Sequence, residues 1–163
     1  MSLSELHIRA ADPTDSAPLE AIEQSVWDSL STPCLPDQSP AFGHRLPFED
    51  TQVAVVDGRI VGYVTVGLRS SLASNRHVGR IRALAVLPEF RRRGIGKALV
   101  QAAVAVAHSR GWEKLGLTVL ESNPSAVALY HSMGFAEEAR LKDEFILQDH
   151  YVDDIFMSLR LRK

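Results

Sequence analysis

Leu84-Ala85-Val86-Leu87-Pro88-Glu89-Phe90-Arg91-Arg92-Arg93-Gly94-Ile95-Gly96-Lys97-Ala98-Leu99 is the stretch on which the reading of this chain turns. An apolar strand enters a basic, glycine-containing turn, which opens directly into a helical pattern. Such a junction aims several backbone N–H groups and the positive end of a helix at one spot, a ready site for a pyrophosphate. Gly94 and Gly96 let the backbone approach an anion with no side chain between. Arg91, Arg92, Arg93 and Lys97 add attraction around it. Two nucleotide motifs share parts of the pattern, and both fail. A triphosphate-binding loop needs a glycine where Arg91 stands and a hydroxyl where Ala98 stands. The dinucleotide fingerprint would put its third glycine on Leu99 and its acid on Lys114. Taken alone, the segment also reads as a solvated helix start carrying arginines.

Upstream, Leu6, Ile8 and Ala10 alternate as a strand, and Asp12-Pro13 signals a helix start. Leu19, Ile22, Val26, Trp27 and Leu30 then recur at helical spacing, which predicts a helix over Ser16–Leu30. Pro33, Pro36, Pro40 and Pro47 break Ser31–Asp50 into a loop or a short helical excursion. Val53–Val56 and Ile60–Leu68 flank Asp57-Gly58, a hairpin signal, and a further strand runs from Val78 to Leu87. Downstream, Gly94–Arg110 is helical and ends at Gly111, and Leu115–Leu120 is a strand. Asn123-Pro124 opens a short helix closed by Gly134. Phe135 onward, Glu144–Leu147 and Val152–Leu161 read as strands around Gln148-Asp149-His150. The order β-α-loop-β-β-β-α-β-α-β-β predicts a mixed α/β (α+β) fold, with residues 1–163 as a single domain.

A chain of 163 residues buries roughly 68–70% of its unfolded surface and needs no disulfide or metal to hold a core. At 45% hydrophobic and 23% charged residues, the composition excludes disorder. The net charge of −2 argues against a nucleic-acid partner. Cys34 stands alone, so no intramolecular disulfide or cysteine-rich metal module is expected, and the six histidines lack paired ligand spacing. No apolar run reaches the roughly 18 residues of a membrane span. The expectation is a cytoplasmic protein with no membrane partner.

The glycine turn has a companion. About thirty residues beyond it stands Asn123-Pro124-Ser125-Ala126-Val127-Ala128-Leu129-Tyr130-His131-Ser132-Met133-Gly134-Phe135. Together with Arg91-x-x-Gly94-x-Gly96 after Leu-Ala-Val-x-Pro, it resembles the GNAT superfamily of acyl-CoA-dependent N-acetyltransferases, whose second hallmark is N-x-x-A-x-x-L-Y-x-x-x-G-F. The resemblance covers roughly Gln52 to Leu161.

That resemblance implies a mostly antiparallel sheet in which the strands Val78–Leu87 and Leu115–Leu120 splay into a V. Acetyl-CoA would lie in the V as co-substrate, without a metal. Its pantetheine arm would pair with the backbone of Leu84, Ala85 and Val86, beside Asn123, and its pyrophosphate would sit on the turn from Arg91 through Arg92, Arg93, Gly94, Ile95 and Gly96 to Lys97. The Val86 N–H would polarise the thioester carbonyl, and Tyr130 would protonate the departing thiolate. Tyr130 also reads as a core residue, and Asn123 as a plain helix cap. Ribosomal-protein N-terminal acetylases, one branch of the family, carry a glutamate where this chain has Thr118; Glu121, Glu138, His77 or a water chain remain for the base. The first helix, the Ser31–Asp50 loop and the C-terminal hairpin would bind the amine acceptor, with Trp27, Phe42, His44 and Phe48 as candidate lining. The expected activity is acetylation of a small primary amine such as an amino acid. Acetylation of a protein lysine or N-terminus, or acyl-CoA sensing without catalysis, are the alternatives, and a homodimer is compatible with all three.

Overall fold

The structure is a computed structural model and describes residues 6–29, 32–33 and 41–161. Leu30, Cys34 and most of the proline-rich stretch lie outside the described residues. Seven strands form one sheet in the order β1-β2-β3-β4-β5-β7-β6. They are β1 (His7–Ala10), β2 (Thr51–Val56), β3 (Arg59–Leu68), β4 (Val78–Val86), β5 (Lys114–Leu120), β6 (Ala136–Leu147) and β7 (His150–Arg160). The helices are α1 (Ser16–Val26), α2 (Ile95–Ser109) and α3 (Pro124–Ser132). Every pairing is antiparallel except β4 with β5.

Local chemistry sets most boundaries. Asp57 and Gly58 both take positive φ (50° and 77°), which matches the twist of the β2–β3 hairpin. Before α1, the Asp12 carboxylate accepts from Thr14 N at 2.8 Å, and Asp12 N donates to the Asp15 carboxylate at 3.0 Å. This capping box satisfies orphan helix donors. α1 ends at Val26, four residues before the predicted Leu30, because Trp27 turns extended (ψ 131°). Apolar spacing persisted past the last helical hydrogen bond and overstated the helix.

The core lies between the sheet and α2, whose Ile95, Leu99, Val100, Ala103 and Ala107 are buried. Leu19 and Ile22 of α1 are buried as well, and the Tyr63 hydroxyl of β3 donates to the Glu23 carboxylate of α1. Each large apolar side chain so buried is worth roughly 1.5–3 kcal/mol. Phe42 packs edge-on against Tyr63 at 4.9 Å and beside Phe48 at 6.2 Å.

The feature that makes a site is a failure of pairing. β4 and β5 run parallel with Val78, Gly79 and Arg80 opposite Lys114, Leu115 and Gly116, and there the pairing stops. From Ile81 on, β4 stays with β3 while β5 stays with β7. β4 also bulges at this point: Thr65 and Val66 face Ala83 and Ile81, which leaves Arg82 as the extra residue. The predicted V between the two strands is present. Among the described residues, no helix is long and apolar enough to cross a membrane.

Candidate active site

The gap between β4 and β5 opens into a cleft of ≈ 960 Å³. That is at the upper end of small-molecule sites. One wall is β4 from Ile81 to Val86, the other is β5 from Leu117 to Leu120, and the start of α2 and the length of α3 close one end.

Backbone direction decides what β4 offers. Leu87 N donates to Val61 O at 2.9 Å, so Leu87 points toward β3. Backbone groups alternate along a strand, so those of Val86 and Leu84 point into the gap while those of Ala85 point to β3. Ala85 therefore contributes its side of the wall but not its hydrogen bonds. Arg91 Nε donates to Val86 O at 3.1 Å, which straps the turn to the strand.

The turn is shaped for an anion. Arg92 (φ 60°) and Gly94 (φ 80°) are both left-handed, a backbone curvature that turns N–H groups inward. No side chain caps α2, and its first return bond is Ala98 N to Gly94 O at 3.0 Å. The N–H groups of Ile95, Gly96 and Lys97 thus have no helical acceptor. A Cβ on Gly94 would meet nothing within 4 Å, whereas one on Gly96 would stand 3.2 Å from Leu129 of α3. Gly96 thus serves the approach of α2 to α3, a packing role that its sequence context did not disclose.

Of the sequence-predicted residues, Leu84, Ala85, Val86, Arg91, Arg92, Gly94, Gly96, Lys97, Asn123 and Tyr130 line the cleft. Two side chains do not. Ile95 is in the core at 1% exposure, and the Arg93 guanidinium lies 5.3 Å from the Phe90 ring. Asn123 accepts from Ala126 N at 3.3 Å and so caps α3, at the cleft wall. Tyr130 sits in the last turn of α3 against Phe135, ring centroids 5.7 Å apart. Burial pushes its phenol well above the usual tyrosine range, which keeps the hydroxyl protonated at neutral pH.

None of the named base candidates borders the cleft. Glu121 pairs with Arg140 at 2.9 Å, and Glu138 pairs with Lys114 at 2.6 Å, which lowers its carboxyl pKa. Phe42 packs on Tyr63 and on Phe48, and His44 is exposed. Glu23, Val26, Tyr63, Phe145 and Asp154 line the cleft instead.

Asp154 is the residue that sequence reasoning missed. It lies on β7 opposite Leu120, two residues along β5 from Thr118 on the same face. Burial raises its carboxyl pKa, Glu144 raises it further, and Arg80 opposes both. An acid one strand away from the Thr118 position is invisible to any count along the chain. Asp153 beside it does a different job. Its carboxylate takes Lys142 Nζ at 2.9 Å, Asp143 N at 3.0 Å and Arg140 at 3.3 Å, which pins the bulge of β6 between Leu141 and Phe145.

The acetyltransferase (GNAT) family model matches residues 19–135. An N-alpha-acetyltransferase from Sulfurisphaera tokodaii is 33% identical over 108 residues, 62% of this chain and 61% of that protein. The [ribosomal protein bS18]-alanine N-acetyltransferase of Escherichia coli K12 is 37% identical over 76 residues, 47% of this chain and 51% of that one. The chain thus spans between about half and three-fifths of the length of these curated relatives. Among solved structures, the smu.2055 protein of Streptococcus mutans UA159 is 32% identical with a TM-score of 0.87, covering 96% of this chain and 99% of its own. A Salmonella typhimurium protein solved with its cofactor acetyl-CoA has a TM-score of 0.80 at 21% identity, with 98% and 96% coverage, a likeness of fold.

Proposed function

The chain belongs to the acetyltransferase (GNAT) family, and from that premise we propose that it transfers the acetyl group of acetyl-CoA to a small primary amine such as an amino acid. The observation that carries this reading is the gap beside β4. It presents the backbone groups of Leu84 and the N–H of Val86 along one wall and ends on the uncapped start of α2. A pantetheine arm fits such an edge as an added strand, and a pyrophosphate fits the left-handed turn at Arg92–Gly94 with the N–H groups beyond it.

In this reading the chemistry is direct transfer. The amine loses a proton to Asp154, whose raised pKa makes it a better base than an exposed aspartate. The neutral nitrogen attacks the thioester carbonyl carbon while a gap-facing N–H of β4, that of Leu84 or Val86, polarises the carbonyl oxygen. A fixed donor of this kind is typically worth ~3–4 kcal/mol in the transition state. As the C–N bond forms, the C–S bond breaks, and Tyr130 gives its proton to the sulfur. The second proton of the amine nitrogen, released as the amide forms, returns through water to Tyr130.

Acetylation of a protein N-terminus is the second reading, favoured by the printed activities of the two archaeal and bacterial relatives. Thr118 in place of the glutamate weighs against it. Thiol release from acetyl-CoA, measured with free amino acids, amines and peptides side by side, separates the two. Release with small amines at least tenfold faster than with peptides supports the first; release with peptides alone replaces it with the second.

A further inference from the structure

Arg69, Arg80 and Arg82 stand together where β3, β4 and β5 meet, on the sheet face that carries α1. Arg80 and Gly67 are register partners, and a Cβ on Gly67 would fall 2.6 Å from Cζ and Nε of Arg82. The Arg82 guanidinium therefore lies flat against the bare backbone of β3, held there because position 67 has no side chain. Among the described residues its one protein acceptor is Leu68 O, at the long distance of 3.5 Å. Arg80 donates to Thr118 Oγ at 3.1 Å, and Arg69 rests 5.9 Å from the Phe156 ring. Among the described residues, none of the three has a carboxylate within 4.0 Å. Three guanidiniums held in place by glycine, hydroxyl and ring contacts, with most of their N–H donors unused, make an anion site.

This cluster is separate from the turn at Arg91–Lys97. Arg82 lies four residues before Val86, about 13 Å along the strand. A pantetheine arm running back from the turn along β4 brings its acyl end toward Arg82. The carboxylates of Glu23 and Asp154 line the same cleft, and Arg80 lies near enough to Asp154 to oppose the rise of its pKa. The cleft thus carries charges of both signs, which matches a dipolar ligand.

We propose that Arg82, supported by Arg80 and Arg69, is a subsite for an anionic group on the acceptor, so that the substrate class is an amine bearing a carboxylate. The assignment rests on the acetyltransferase reading. The carboxylate takes the Arg82 fork and the ammonium faces Asp154, with the nitrogen over the gap between β4 and β5.

The test offers an equimolar mixture of free amino acids and their carboxamides, with acetyl-CoA, and reads the acetylated products by mass spectrometry. Wild-type protein is expected to give acids over amides by at least tenfold, and Arg82→Gln is expected to bring that ratio to near one. Equal products from the wild type, or an unchanged ratio in R82Q, would overturn the subsite. The same acids and amides are added during thermal unfolding of the CoA-bound protein, which needs no turnover. Stabilisation by acids alone, lost in R82Q, upholds the subsite even where no product forms and the transferase reading has failed. Equal shifts from acids and amides there reject the subsite by themselves.

Discussion

At the scale of single residues, the proposed chemistry depends on two groups in opposite protonation states. Tyr130 is kept protonated by burial, so it has a proton to give at every pH where the fold is intact. Removing the hydroxyl should lower kcat by roughly 10²-fold or more while leaving the KM for acetyl-CoA nearly unchanged, the usual mark of a lost general acid. Steady-state kinetics of Tyr130→Phe decides this; a rise in KM alone would make the ring a positioning group. Asp154 must be ionised to accept a proton, and its pKa is raised by burial first and by Glu144 second, against the pull of Arg80. Activity should therefore fall on the acid side as Asp154 takes up its proton, at a higher pH than for an exposed aspartate. Glu144→Gln removes a negative neighbour, favours the ionised Asp154, and should move that acid limb to lower pH. Arg80→Gln should move it the other way. A pH–rate profile that stays fixed in both variants would remove Asp154 as the base.

At the scale of elements, the V between β4 and β5 is held open from its base. The two strands share three register pairs, and Gly79 in the middle lies under the Trp112 ring so closely that a Cβ would fall 1.9 Å from Cε3. Gly79→Ala should force the indole or the strand aside and cost on the order of 1–3 kcal/mol, the usual penalty of overpacking. Urea unfolding measures it, and an unchanged midpoint would show that the ring moves freely. This contact also marks the border of what the sequence disclosed. Asp57-Gly58 and the bounds of α2 at Gly94 and Gly111 were legible because their signals are local: each residue sets its own backbone angles. The left-handed bend of the Arg91–Gly94 turn was legible at Gly94 for the same reason. The end of α1 was not, because Trp27 leaves the helix although it falls on the apolar stripe. The break in β6, where Asp143 takes a positive φ of 52°, was hidden too, since Asp153, ten residues on and on another strand, pins it. Arg82 over Gly67, and Asp154 across from Leu120, are meetings of strands, and no spacing along the chain encodes them.

At the scale of the whole molecule, the carboxylates divide into those that hold the frame and one that strains it. Arg9 of β1 grips Asp15 with two bonds of 2.7 and 2.8 Å, tying the sheet edge to the start of α1, and that hydrogen bonding depresses the Asp15 pKa. At the opposite end, Lys142, the Asp143 N–H and Arg140 depress Asp153. A carboxylate with a depressed folded pKa adds stability above its unfolded value, near 3.9, and loses it as pH falls through the folded value. Asp154 has the reverse sign: its folded pKa is raised, so ionisation favours the unfolded chain, and stability falls as pH climbs from the unfolded to the folded value. Three single variants should therefore separate in thermal unfolding at pH 7 and draw together toward pH 3. Asp15→Asn and Asp153→Asn should melt below the wild type at pH 7. Asp154→Asn, although it removes the base, should melt above it, as expected where a working group is kept at some expense of stability. A destabilised D154N at pH 7 would mean that the Asp154 charge is satisfied by the fold and not held ready for an amine.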